Sequence, residues 1–183
     1  MNTRSAFVIA GVWALAVAVA VHTLQFPGSV PDFAKATGGG ILLDAVPAFS
    51  ADEVYERLES YGASGRRNYL FRNVTVDVLL PLSVVPFLFL FMRRGLKRAS
   101  LAPMARIFLL SVPLVYVAFD LVENGSVVML LSQYPARVDA LAASLPYLTI
   151  VKRLASIAAL IAPVVMFGVA YVRQKGSARP SAA

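Results

Sequence analysis

The sequence has no cysteine, one histidine and one tryptophan. Without a thiol there is no disulfide, no thiolate metal site and no thiol redox chemistry. The lone His22 excludes a bis-histidine haem, and no histidine-rich tract points to zinc. Neither a Gly-rich phosphate loop before a helix, nor a GxSxG turn, nor an HExxH pair occurs. Ser, His and Asp are present, but nothing in their order marks a triad. No metal and no cofactor is therefore expected. Charge is scarce as well: only 15% of residues are charged, against about a quarter in soluble domains.

What the chain has in abundance is apolar residues in long runs. It is 183 residues long and 58% hydrophobic, with a mean hydropathy of +0.71. Crossing about 30 Å of hydrocarbon takes roughly 20 residues of helix. Runs over 6–26, 69–92, 106–131 and 146–172 meet that length, each bounded by charges or Pro/Gly turns. The expectation is an all-α, four-transmembrane-helix bundle forming a single membrane domain over 1–183. The first run, with "AVAVAV", offers small residues at cleavage-like spacing, but a signal peptide has a shorter apolar core. It reads as a retained anchor.

The formal charge of +7 bears on orientation rather than on nucleic acid, which is not an expected partner. The cations cluster as "MRRGLKR" (92–98), followed by Arg106, and as "VRQKGSAR" (172–179), each flanking an apolar run. By the positive-inside rule both face the cytoplasm. Arg4 places the N-terminus there too, so an even number of spans gives N-in/C-in in a bacterial inner membrane. Residues 27–68 then form a long external loop, and 174–183 read as a disordered tail. Inside the loop, "SADEVYERLESYG" carries a capping box (Ser50, Glu53) and a stop at Gly62, and so predicts a short amphipathic helix, on the outer membrane surface, capping the bundle, or simply solvated and tying down the loop. Val54, Leu58 and Tyr61 mark its apolar face. Arg66, Arg67, Arg72 and Tyr69 form a belt at the outer interface, suited to anchoring a helix end or holding an anionic group. Pro81, Pro86, Pro113 and Pro163 each remove a backbone donor and predict kinks.

The informative feature is polarity inside the apolar runs. Tyr116, Asp120, Glu123, Asn124 and Val127 fall on one helical face. Asn73 and Asp77 share a face of the second helix, and Thr149, Lys152 and Ser156 one of the fourth. Counting about 1.5 Å per residue puts Asp120 roughly 18 Å below the outer end and Asp77 roughly 10 Å. His22 and Lys152 lie within a turn or two of that end. The strongly polar residues thus gather in the outer half or near the midplane. An ionisable residue in a span costs roughly 2.5–3.5 kcal/mol, so such groups turn inward and pair. Their faces are expected to converge on one polar site opening outward. The candidates for chemistry are Asp77, Asp120, Glu123 and Lys152. Candidates for ligand contact are Asn73, Tyr116, Asn124, Ser156, His22, Arg66 and Arg67. A bare packing role, with Asp77 or Asp120 paired to Lys152 and Asn124 as interhelical glue, stands beside it.

The stretch "LLDAVPAFSADEVYERLESYGASGRRNYL", Asp77 with its following "PL", and "FDLVENGS" ahead of a lysine-bearing last helix resemble a family of small, uncharacterised bacterial four-helix membrane proteins. The resemblance covers about 42–160 and implies the four-span architecture, with no activity attached. In layout alone the chain is similar to four-span sterol isomerase and sigma-2 receptor-like proteins, which place carboxylates in a membrane cavity.

Three functions compete. In the first, the polar site takes a lipid-like or amphiphilic molecule that the protein binds or acts on, its body against apolar walls. The chain could equally be a non-catalytic subunit of a larger membrane complex, docking through the small face of helix 1 (Ala10, Ala14, Ala18). Proton or solute transport fits less well, since the inner half lacks polar groups.

Overall fold

The computed structural model of the protein describes residues 3–99 and 101–177. Among them there are seven helices and no strand: α1 (Thr3–Thr23), α2 (Val30–Thr37), α3 (Ala51–Ser60), α4 (Gly62–Val74), α5 (Val76–Arg98), α6 (Pro103–Gln133) and α7 (Asp139–Ser177). Of the tail expected over 174–183, residues 174–177 continue α7, and the rest lie outside the described residues.

Four helical stretches are long and apolar enough to cross a membrane: Arg4–Thr23, Gly62–Arg98, Pro103–Gln133 and Asp139–Val172. Their outward faces carry large apolar side chains such as Val12, Trp13, Leu15, Ile107, Phe108, Leu154 and Val164, all more than half exposed. An apolar exterior of that extent needs lipid around it, which makes this a membrane protein. The helices also run longer than the apolar segments suggested. At about 1.5 Å per residue, the 31 residues of α6 and 39 of α7 reach roughly 46 and 58 Å, well past the hydrocarbon thickness.

Those extra turns carry a cap. The stretch expected as a loop over 27–68 folds into α2, α3 and the start of α4, and supplies eight of the fourteen buried residues of the larger hydrophobic cluster. Phe33, Leu43, Val54, Leu58 and Tyr69 pack there against Val127 and Leu130 of α6 and Ala142 and Leu145 of α7. Phe33, Tyr61 and Tyr69 form an aromatic triangle with centroids 5.1–5.9 Å apart. Burial pushes the Tyr61 phenol well above its ordinary range, and its hydroxyl donates to the Ile41 carbonyl at 2.5 Å.

Both short helices are written in their caps. Ser50 Oγ accepts from Glu53 N at 3.1 Å while the Glu53 carboxylate accepts from Phe49 N at 3.0 Å, the expected capping box displaced by one residue. That amide, and then Arg57, hold the Glu53 carboxyl below the usual range, so it stays charged at the positive end of the helix dipole. Gly62 has φ +62°, the left-handed geometry foreseen for the stop. Helix α2 was not foreseen, although Ser29 caps Asp32 N, a proline sits in its first turn and Gly38 ends it at φ 67°. Its eight residues are too few for periodicity to stand out.

In the bundle, α5 packs against α1, α6 and α7, and α6 against α7. Gly11 lies where a Cβ would come 3.2 Å from the Phe87 ring. Buried Ala14, with partly buried Ala10 and Ala18, shares that side of α1. The small-residue face therefore docks within the chain.

Candidate functional site

The second apolar stretch is one long helix broken once. At Thr75, φ −125° and ψ −77° interrupt the helical path between α4 and α5. Residues five apart in an unbroken helix point about 140° from one another. Across this break Arg72 and Asp77 instead meet, Nη2 to Oδ1 at 2.7 Å, with side chains only 3% and 10% exposed. The other arm of the guanidinium donates to the Gly28 carbonyl at 2.8 Å. The pair thus fastens the start of the cap to the top of the bundle. Arg72 was read as one of an interfacial belt; it is buried, and it is the partner of Asp77.

Four residues further on, Pro81 has no N–H to give the Asp77 carbonyl, leaving a buried acceptor open. Asn124 of α6 fills it, Nδ2 donating to Asp77 O at 2.9 Å. The same amide nitrogen donates to Asp120 Oδ2 at 3.2 Å. One amide group links a proline-freed carbonyl on α5 to a carboxylate on its own helix. Asp120 Oδ1 in turn meets Lys152 Nζ of α7 at 3.2 Å. Lys152 also pairs with Glu123, which accepts from Thr149 and is completely buried.

Asp77, Asp120, Asn124 and Lys152 line one cavity of about 200 Å³ beneath the cap, with Tyr116, Ser156 and His22 also on its wall. Three charged residues outside the candidate list join them: Arg72, Asp44 from the cap and Arg153 from α7. Arg153 donates to the Asp44 and Ala45 carbonyls at 2.5 and 2.6 Å, clamping the cap onto α7. His22 and Arg153 are exposed and mark where the cavity reaches the surface. Its floor is largely apolar; towards the basic end the buried side chains of the spans are apolar apart from Ser83, among them Leu88, Met92, Leu96 and Met166.

The other candidates stand elsewhere. Glu123 lies behind Lys152, off the cavity wall. Asn73 is buried but donates to the Tyr69 carbonyl at 2.9 Å. Arg66 donates to Leu58 O at 2.9 Å and lies 4.0 Å over the Tyr134 ring, and with exposed Arg67 it borders a separate depression beside Leu70 and Leu131. The belt and the carboxylates do not form one site.

The charge balance gives the cavity its chemistry. The wall carries three carboxylates (Asp44, Asp77, Asp120) and three cations (Arg72, Lys152, Arg153), and Glu123 behind Lys152 adds a fourth carboxylate to the network. With all ionised, one negative charge is left over. Asp44 is the carboxylate without an ionic partner, its Oδ1 accepting from the Tyr69 hydroxyl at 3.4 Å.

The fold and cavity define an all-helical membrane protein with a charged pocket under a folded cap. Compared with protein families, curated proteins and solved structures, the chain matches none.

Proposed function

We propose that the chain crosses a bacterial inner membrane four times, N-in/C-in with the cap outside, and that its cavity binds or acts on the polar head of a lipid-like or amphiphilic molecule. The carrying observation is the group of Asp77, Asp120 and Lys152 at a 200 Å³ cavity, in a network that has one carboxylate in excess once Glu123 behind Lys152 is counted. That volume suits a head group and excludes a whole lipid; the apolar body would lie against the exposed faces of the helices. The excess negative charge selects a cationic head, such as an ammonium, and a carboxylate beside a lysine also suits proton transfer to a bound molecule. The largely apolar floor argues against a through-path for transport. The internal docking of the α1 small-residue face removes the feature that favoured a subunit role.

Three probes sharing a dodecyl tail test the head-group preference. Dodecylamine is expected to raise the melting temperature of the detergent-purified protein saturably, while dodecanol and dodecanoate do not. Asp120→Asn keeps Lys152 paired to Glu123, so it stays folded and binds dodecylamine roughly 10- to 100-fold more weakly, as loss of a charged hydrogen bond predicts. Equal shifts from all three probes, or an unchanged response in Asp120→Asn, would reject the reading. Orientation has its own check, free of background thiols. In intact cells an impermeant maleimide should label Glu56→Cys and spare Leu101→Cys, and the reverse pattern would invert the topology.

A further inference from the structure

The cap and the lipid-facing side of α7 meet at one arginine. On α7, Ile150, Arg153, Ile157, Leu160 and Val164 follow one another at alternating steps of three and four residues, which stacks them along one side of the helix. The four apolar members are exposed, so the stripe belongs to the surface that lipid covers. A cation in such a stripe is costly to leave facing hydrocarbon. Arg153 is not left so: its guanidinium donates to the Asp44 and Ala45 carbonyls of the cap.

Those carbonyls belong to residues 41–49, "ILLDAVPAF", which form no helix or strand. The protein nonetheless supplies this backbone with partners. Ile41 O accepts from the Tyr61 hydroxyl at 2.5 Å, and Leu42 O from the Ala45 and Val46 amides at 3.1 and 3.2 Å. Leu43 N donates to the Tyr69 hydroxyl at 3.2 Å, Val46 O accepts from the Arg57 guanidinium, and Phe49 N donates to Glu53 at 3.0 Å. Pro47 has no N–H to satisfy. Water would serve a solvated loop in most of these places. At membrane depth it cannot, and irregular backbone is tolerated there only where protein satisfies it. The side chains divide to match. Leu42, Leu43 and Ala48 are buried in the cap, whereas Val46 and Phe49 stay 45% and 66% exposed, as does Ile41 at 55%. Asp44 is the one ionisable residue of the stretch, and it lines the cavity. The outward side of the loop is therefore apolar, and at Arg153 it continues the stripe of α7.

We propose that residues 41–49 dip into the leaflet on the cap's side of the membrane, with Val46 and Phe49 among the acyl chains and Arg153 holding the loop at that depth. The partner is the hydrocarbon of the bilayer. Loop and arginine each remove the other's cost: the guanidinium brings donors that lipid lacks, and the carbonyls bring acceptors. The level agrees. Tyr147 is exposed on α7 and is of the type that marks a membrane–water interface. Arg153 lies six residues further in, about 9 Å along the helix, and Asp44 shares a wall with Tyr116, Asp120 and Lys152 of the spans. The proposal needs only that the long helices cross a membrane. It stands whichever side the cap faces and whether or not the cavity binds anything. On the ligand reading above, it adds that the mouth beside Asp44 and Arg153 opens among acyl chains, so an amphiphile enters with its tail still in lipid.

Fluorescence quenching by depth, on the full chain in phosphatidylcholine vesicles, tests this. Trp13 is the single tryptophan, so a Trp13→Phe background leaves no other indole. In that background Phe49→Trp is expected to emit at short wavelength and to lose most of its emission to phosphatidylcholine brominated on the acyl chain. Glu56→Trp, on the exposed side of α3, should emit at longer wavelength and be spared. Val46→Trp reports from a second exposed position of the loop; it should follow Phe49→Trp, and it decides if that variant does not fold. Loop reporters spared like Glu56→Trp would leave the loop in water and overturn the proposal. Stronger quenching by a head-group nitroxide than by the acyl bromine would put the loop on the membrane surface, and equal quenching at all three positions would show no depth at all; either overturns it as well. Adding Arg153→Leu to Phe49→Trp should move the emission to longer wavelength and relieve the acyl-chain quenching. Quenching that stays as strong would overturn Arg153 as the group that holds the loop in lipid.

Discussion

Replacing Lys152 by methionine is expected to lower stability in detergent melting by about 3–5 kcal/mol, the range for breaking a buried ion pair from one side. The structure gives the reason. Lys152 is the cation in contact with both Asp120 and Glu123, and Glu123 is 0% exposed. Methionine fills a similar volume but leaves two carboxylates without a counter-charge, each of which must stay charged in a poorly solvating site or take up a proton. Asp120→Asn is milder, because the lysine retains Glu123 and the amide can still bond Asn124. Adding Glu123→Gln to Lys152→Met removes the more deeply buried charge and should recover a large part of the loss. A Lys152→Met protein that melts like wild type would mean that these groups are hydrated. A different result bears on function. Should Asp120→Asn fall as far as Lys152→Met, with Asp120→Asn/Lys152→Met restoring stability, the two residues are a packing pair. Asp120 then needs no ligand to explain it.

The spans and the convergence of polar faces were legible because both rest on simple counting. A residue too costly to expose to lipid must turn inward, and 3.6 residues per turn says which residues turn together. Asp77, Asp120, Asn124 and Lys152 could be assigned that way. Arg72 could not, because helical spacing puts it on a different side from Asp77; only the break at Thr75 brings them together, and no proline or glycine announces it. The bond from Asn124 to the Asp77 carbonyl was half legible. Pro81 stands four residues after Asp77, so the sequence states that this carbonyl lacks its helical donor, but not which neighbour supplies one. The cap was the least readable part. Its core is assembled from Phe33, Leu43, Tyr61 and Tyr69, spread over two helices and two turns, and only α3 shows an apolar face in the sequence. Arg66 and Arg67 misled for a related reason. Sequence proximity to Arg72 suggested a common role, whereas their positions on α4 turn them to different surroundings.

Arg72→Met should destabilise the protein about as much as Lys152→Met, by about 3–5 kcal/mol, but the damage should appear in a different place. Arg72 holds Asp77 with one nitrogen and the Gly28 carbonyl with another, and Gly28 N in turn donates to Asp32 at 3.0 Å. Losing the guanidinium therefore strands a carboxylate at the top of α5 and also frees the turn that starts the cap. Amide exchange should accelerate at Phe33 and Leu43, which belong to the cap, before it does in the lower halves of α5 and α7. Pairing the change with Asp77→Leu removes the stranded charge and should restore most of the global melting temperature, since an apolar replacement for a buried pair is often neutral. Cap exchange should stay fast even then, because the Gly28 carbonyl is still without its donor. The two ion pairs are also joined through Asn124, which contacts Asp77 and Asp120 at once. A cycle between Arg72→Met and Lys152→Met should accordingly depart from additivity by about 0.5–3 kcal/mol, as for residues in one network. Strict additivity would show that the pairs act separately, and cap exchange unchanged in Arg72→Met would show that Arg72 does not tie the cap to the bundle. With both outcomes, the cavity would lose the linked frame that holds its carboxylates in place.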